Sequence, residues 1–279
     1  MKVYIIGDLH GHDTWKYALN KFGEPSEKNR YVILGDYFDS FDISPEKCLY
    51  NFNELMDYKD SLGPESKKYF ITLIGNHDYH YLVHNADKDY EEVYTGFCEN
   101  KWLEIQDAIK ARLDNLQAAY KLDYCMTEVF IFSHAGISNS WLNRTKTELE
   151  HEHYMEVYEK LFKPGFLKRS DCLKTLSFYC GRKKSATGDD PDNGPLWIRP
   201  FSLSSDMYKD PDRDMTYQFV GHTQKRLRNF NDPTDWTIIR DGNTGHLIDE
   251  GTIVLCDTGR YVTVLDTDSL EMYKVDVMG

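Results

Sequence analysis

The sequence is short of several things, and each shortage closes off a class of protein. It has no C-x-x-C pair: Cys48, Cys98, Cys125, Cys172, Cys180 and Cys256 stand apart. That spacing excludes the dense disulfide framework of small secreted domains and fits reduced thiols in a cytoplasmic protein. There is no apolar run of about 18 residues, so no membrane span is expected. The chain enters Lys2-Val3-Tyr4-Ile5-Ile6 directly, without the basic and apolar regions of a signal peptide. Positive charge is scarce: 33 Lys and Arg face 46 Asp and Glu, a formal charge of −13. The long-range field therefore repels anionic membranes and argues against long nucleic acid as a partner. A small anionic substrate stays open, because bound divalent cations would be the largest local charges in a pocket. No internal repeat, low-complexity tract or Pro/Gly linker divides the chain, so residues 1–279 are expected to form one domain.

What is present is an ordinary globular balance, 41% hydrophobic and 28% charged over 279 residues, enough for one substantial core. Short β-rich runs at Val3 to Ile6, Tyr31 to Leu34, Tyr69 to Ile74 and Val129 to Phe132 each run into glycine and polar residues, the pattern of buried strands ending at loops. Helix-compatible stretches, Thr14 to Phe22 and Pro45 to Tyr58, alternate with them, which predicts an α/β fold with ligands at the carboxyl ends of the strands. From Glu99 to Tyr124 the spacing of Trp102, Ile105, Ile109, Leu113, Leu116 and Tyr120 predicts one long helix. Trp141 to Phe162 also has a helical pattern, and Pro, Gly, Asp and Ser accumulate through 185–213. Residues 138–214 are expected to be a helical and loop insertion covering the site. Later β signals at Tyr217 to Val220, Trp236 to Arg240, Thr252 to Leu255, Val262 to Leu265 and Met272 to Val275 predict a second sheet.

The chemistry lies at the strand ends. Gly7-Asp8-Leu9-His10-Gly11 follows the first strand, Gly35-Asp36-Tyr37-Phe38-Asp39 the second and Gly75-Asn76-His77-Asp78 the third. Ser133-His134-Ala135-Gly136 and Gly221-His222-Thr223-Gln224 repeat the arrangement. Each has a glycine beside its ligand, suited to a tight turn where backbone approaches an ion. One such motif alone is weak; five in order, all at strand ends, point to a metal centre. Carboxylate, imidazole and carboxamide together suit Mn, Fe or Zn better than Ca or Mg, which prefer oxygen alone. Two such ions would lower the pKa of a shared water and clamp phosphate oxygens for in-line displacement. His77, next to a ligand position, is assigned as general acid, with Asp39 orienting its imidazole.

On these motifs the sequence resembles the calcineurin-like metallophosphoesterase superfamily, whose pattern is GD-x-HG, GD, GNH-[ED], H-x-G and GH. The resemblance spans residues 7–223. It implies two mixed β-sheets in a sandwich flanked by helices, and two divalent ions, with Mn favoured and Fe, Zn or Ni as alternatives. Asp8, His10 and Asp36 would hold the first metal, and Asp36 would bridge to a second completed by Asn76, His134 and His222. The His77–Asp39 pair is similar to the serine/threonine-phosphatase-like branch, whose motif is GD-x-x-DRG. Here Ser40 replaces that branch's phosphate-binding arginine. Pro195-Leu196-Trp197-Ile198-Arg199-Pro200 resembles the segment supplying a second arginine in bacterial and phage members, which makes Arg199 the phosphate-binding candidate. Gln224 stands where diesterases of the superfamily have a further histidine, and Val254-Leu255-Cys256-Asp257-Thr258-Gly259 resembles the branch's late D-T-G turn, with Asp257 in a supporting role.

The expected function is hydrolysis of a phosphate monoester in a phosphoprotein, nucleotide or small molecule. A phosphodiesterase or dinucleoside-polyphosphate hydrolase is the alternative, kept open by Ser40 and the insertion. A non-catalytic binding module would be expected to have degraded ligands, and none is degraded. His80, His84, His151 and His153 are expected to be packing or surface residues; His12 lies outside the ligand positions, and His246 has no assigned place.

Overall fold

In the computed structural model, residues 1–84, 96–148, 154–163, 165–168, 190–224, 238–240 and 252–279 are described. Eleven strands are found among them: β1 (Lys2–Ile6), β2 (Asn29–Ile33), β3 (Phe70–Leu73), β4 (Leu116–Gln117), β5 (Ala119–Asp123), β6 (Glu128–Ser133), β7 (Met215–Val220), β8 (Ile238–Arg240), β9 (Thr252–Leu255), β10 (Tyr261–Asp266) and β11 (Glu271–Asp276). They form a six-stranded sheet in the order β11-β10-β1-β2-β3-β4 and a five-stranded sheet in the order β5-β6-β7-β9-β8. Both sheets are mixed: β1 to β4 run parallel, as do β6, β7 and β9, while the remaining pairs are antiparallel.

Strand periodicity explains the layering. Val3, Ile5, Val32, Leu34, Ile71 and Leu73 face one way and pack with Phe130, Phe132, Phe219 and Val254 of the other sheet. Their neighbours Tyr4, Ile6, Tyr31, Ile33 and Phe70 face outward, under helices. Those helices are α1 (Thr14–Phe22), α2 (Pro45–Ser61), α3 (Pro64–Lys67), α4 (Asn76–Val83) and α5 (Trp102–Ala111). Ser44 caps α2 by accepting from the Lys47 N–H, and Pro45 occupies its first turn. Over the outer face of the second sheet lie α6 (Asn139–Glu148), α7 (Tyr154–Leu161) and α8 (Pro200–Ser205), with Trp141, Leu142, Tyr158 and Leu161 in the core.

Two expectations need correcting. The helix expected through Tyr124 stops at Ala111, and Leu116 to Asp123 is strand. Leu116, Ala118, Tyr120 and Leu122 are also spaced by two, and the turn at Asn115 decides between the periods. The Asn115 carbonyl accepts from Lys59 Nζ at 2.7 Å and from Thr72 Oγ1. The chain then pairs first with β3 and next with β6, crossing from one sheet to the other. Within the stretch from Trp141 to Phe162 the described residues through Leu161 are helical as the pattern predicted, at α6 and α7. Finally, the late strands do not make a sheet of their own. β7, β8 and β9 join β5 and β6, whereas β10 and β11 return to β1. Trp236, His151, His153, His246, Cys172 and Cys180 lie outside the described residues. The four described cysteines are free thiols, and no described helix is long and apolar enough to cross a membrane.

Candidate metal centre and active site

All five ligand motifs sit just past the carboxyl ends of β1, β2, β3, β6 and β7, at one rim of the sandwich. Holding them there strains the backbone. Among the described residues, positive φ in a residue other than glycine occurs at His10, Asp36, Asp39, His222 and Leu270. Four of these five belong to the site, each in a conformation costing on the order of 1–3 kcal/mol. Glycines allow the loops to interlock: a Cβ on Gly75 would come within 2.1 Å of Asp36 Oδ1, and one on Gly221 within 2.3 Å of Asp8 Oδ1.

Two ligand triads share one residue. Asp8, His10 and Asp36 offer ligand atoms within 4.8 Å of one another, and so do Asp36, His134 and His222. Asn76 joins the second group: its Oδ1 lies 2.8 Å from His134 Nε2 and 2.9 Å from His222 Nδ1. His134 Nδ1 lies 2.9 Å from the Leu34 carbonyl, and His10 Nδ1 2.9 Å from that of Phe38. Each ring thus donates from Nδ1 to backbone and turns Nε2 inward, the arrangement that orients an imidazole ligand. The site is buried, with Asp36 and Asn76 each 1% exposed and His134 fully enclosed.

The electrostatics call for cations. Burial, augmented by the Asp36 charge, pushes Asp8 up to about 6. Burial and the Asp8 charge likewise push Asp257 up to about 8. For Asp36 burial opposes ionisation, but His134, His77 and His10 outweigh it and hold the carboxyl well below its usual range. Burial also opposes a charged His134, yet Asp36 and Asp8 raise that ring to about 10. Four buried carboxylates and imidazoles facing one another are costly unless positive charge lies among them. Asn76 Nδ2 and His222 Nε2 are buried without a hydrogen-bond partner, and the donor set of carboxylate, imidazole and carboxamide suits a transition metal. The residues therefore fit divalent metal ions.

Beside the triads, His77 Nδ1 lies 2.8 Å from Asp39 Oδ2, and the His77 backbone N–H donates to Asp36 Oδ1 at 2.9 Å. Burial opposes charging of this ring, but Asp36 and the hydrogen bond to Asp39 raise its pKa. Arg199 stands on the His222 side, donating from Nη1 to the His222 carbonyl at 3.0 Å and to Thr223 Oγ1 at 3.1 Å. Trp197 lies against the His222 ring, with centroids 5.1 Å apart. Ser40 Oγ caps its own loop, donating to Asp42 and accepting from the Ile43 N–H. Gln224 is exposed, and His12 Nε2 is 3.4 Å from Asp42.

Two residues of the site region were given no part in the site by the sequence. Asp78 accepts from the backbone N–H of Asp36, Tyr37 and Gly75 at 2.7–2.8 Å and so ties the second loop to the third. His80, expected as packing, is packed, but against Asp39: its Nε2 lies 2.7 Å from Oδ2. The relevant signal was its spacing of three from His77 on one helix, which places both rings on one face. His84, grouped with it, packs on Phe97 and Trp102 as expected.

Fold and site fit one family: the chain belongs to the calcineurin-like phosphoesterase family, with a match spanning residues 1–226. It is 30% identical over 159 residues to the symmetrical bis(5'-nucleosyl)-tetraphosphatase of Pasteurella multocida (strain Pm70), covering 54% of this chain and 50% of that protein. The chain thus spans about half the length of this curated relative. A metallophosphoesterase from Sphaerobacter thermophilus aligns over 98% of this chain and 87% of its own, at 13% identity and a TM-score of 0.48. A Saccharomyces cerevisiae serine/threonine phosphatase similar to human PP5 aligns over 95% and 72%, at 14% identity and 0.46.

Proposed function

We propose that this protein hydrolyses phosphate monoesters with two divalent metal ions, favouring Mn, in the cytoplasm. The observation that carries the reading is Asp36, a member of both ligand triads and therefore placed to bridge two ions. In this reading Asp8, His10 and Asp36 would hold one ion, and Asp36, Asn76, His134 and His222 would hold the other. Bound there, the metals would supply Lewis acidity and a water made nucleophilic at neutral pH. The residues do the rest. His77, held by Asp39, gives a proton to the leaving oxygen, and Arg199 binds phosphate oxygens through its guanidinium. The insertion at 138–214 contributes the rim, where Trp197 and Arg199 stand beside His222.

A second reading, hydrolysis of a dinucleoside polyphosphate, is favoured by the position of two exposed aromatics. Phe41 is 91% exposed beside Ser40, next to the Asp39 side of the site, and Phe201 is 82% exposed two residues past Arg199, on the His222 side. Such faces can stack nucleobases, and the Pasteurella relative bears the name of a tetraphosphatase of this kind. The test is hydrolysis of p-nitrophenyl phosphate, bis(p-nitrophenyl) phosphate and a dinucleoside tetraphosphate by metal-stripped protein given back Mn, Ni, Zn or Mg. Mn-dependent monoesterase activity above the other two supports the main reading. Preference for the tetraphosphate would replace it with the second.

A further inference from the structure

Asp39 is more heavily engaged than a single histidine partner requires. Its Oδ2 meets both His77 Nδ1 at 2.8 Å and His80 Nε2 at 2.7 Å, while Tyr81 Oη donates to Oδ1. The Asp39 and His80 side chains are each 1% exposed. Burial lowers the pKa of the His80 ring, so the 2.7 Å contact between Nε2 and Asp39 Oδ2 acts by direct polar contact with a neutral imidazole.

The surroundings hold this arrangement still. His80 and Tyr81 are consecutive on α4, the helix that also carries His77, so one rigid element delivers all three groups to one carboxylate. Tyr81 stacks on Phe97 at 4.6 Å and its Oη accepts from the Cys98 N–H at 2.7 Å. The His80 ring meets Phe97 edge-on at 5.0 Å. Gly96 closes the other side: a Cβ there would lie 2.9 Å from Asp39 Cβ. Asp39 itself sits at φ 61°, a conformation that survives only when its neighbours over-determine it.

We propose that His80 is a positioning residue for proton delivery: by gripping the same Asp39 oxygen that His77 meets, it fixes the carboxylate that aims the His77 ring at the leaving oxygen. The inference rests on the assignment of His77 as general acid. A residue acting this way matters in proportion to how much the leaving oxygen needs a proton. Phenolate, from a phenol of pKa about 10, needs it far more than p-nitrophenolate.

The experiment compares Mn-loaded wild type, His80→Phe, His80→Gln and His77→Asn on phenyl phosphate and p-nitrophenyl phosphate, with metal content measured on each. His80→Phe keeps a ring and removes the nitrogen; His80→Gln keeps a polar group within reach of Asp39. The expected result is full metal content, an unchanged KM and a kcat loss of about 10-fold on phenyl phosphate, the scale of lost outer-shell orientation. On p-nitrophenyl phosphate the loss is much smaller, and His80→Gln recovers most of the activity. His77→Asn gives the same pattern more steeply. An equal loss on both esters in His80→Phe, beside a steep His77→Asn, would overturn the role of His80 alone. A flat His77→Asn series would instead overturn the general-acid reading beneath it. Should His80→Phe not fold, His80→Asn supports the same comparison.

Discussion

Replacing Asp36 by Asn tests the two-metal reading most directly, because the isostere keeps shape while removing one charge from the centre of both triads. Asp36 is 1% exposed, its Oδ1 accepts from the His77 N–H at 2.9 Å, and its Oδ2 lies 3.4 Å from His134 Nε2 and 3.9 Å from His10 Nε2. An amide can keep the hydrogen bond from His77 but cannot supply a bridging negative charge. Each metal bound at a hundred times its Kd stabilises the folded protein by about 2.7 kcal/mol, so two give about 5 kcal/mol. For a chain of this size that corresponds to a rise in Tm of about 9 °C. Thermal unfolding of metal-stripped protein with and without Mn measures it. Wild type should show the full rise and Asp36→Asn almost none, with hydrolysis lost in parallel. Asp257→Asn is the control: Asp257 is in neither triad, so most of the rise should survive. If Asp36→Asn kept half the shift, Asp36 would serve one site and the bridge would be refuted; a full shift would remove it from both.

His77→Ala should bind metals as wild type does while kcat falls by about 100- to 10,000-fold, the worth of a general acid; loss of metal, read by elemental analysis, would make His77 a ligand instead. Lys59 offers a pH test away from the site. It is 4% exposed, donates to Thr72 and Asn115, and burial, with the Lys67 charge, lowers its pKa from 10.5 to about 7. The unfolded chain therefore binds more protons between about pH 7 and 10.5. The burial cost applies in full below the folded pKa and is relieved as pH rises through that window. Relative to wild type, Lys59→Met should be more stable at pH 6 than at pH 9 by roughly 2.5 kcal/mol, as denaturant midpoints would register. A pH-independent difference would mean Lys59 is charged throughout.

The parts of the fold legible in the sequence were those where one period had no competitor. Thr14–Phe22 is the helix its spacing predicted, and Thr252–Leu255 the strand. Leu113 to Leu122 carried two periods at once, three-to-four and two, and local sequence could not choose between them. The choice was made by partners far away in the chain: Lys59 and Thr72 on the Asn115 carbonyl, β3 beside Leu116, and β6 beside Tyr120. Sheet membership of β10 is the same kind of fact. Val262 to Leu265 announces a strand, but only the Lys2↔Asp266 register shows that it closes against β1.

The site was more legible than the fold because its demands are local. A ligand at a strand end needs a turn that brings backbone to within contact of another loop, and glycine is the residue that permits the approach, so Gly75 and Gly221 mark it in the sequence. The unusual φ values at His10, Asp36, Asp39 and His222 leave no such mark, since aspartate and histidine look the same in a chain whatever their dihedrals. What holds them is distributed: Asp78 accepting from three N–H groups of two loops, and the Asp36 carbonyl accepting from the His10 N–H at 2.6 Å. Burial and the Asp36 charge push Asp78 up to about 8, against the N–H groups it accepts from, which favour its charged form. A carboxyl whose oxygens already serve backbone donors stabilises the loop in a way that a ligand, turned toward an ion, cannot. In the proposed reading the motif Gly75-Asn76-His77-Asp78 would therefore join four different duties in four residues: approach, ligation, proton transfer and bracing.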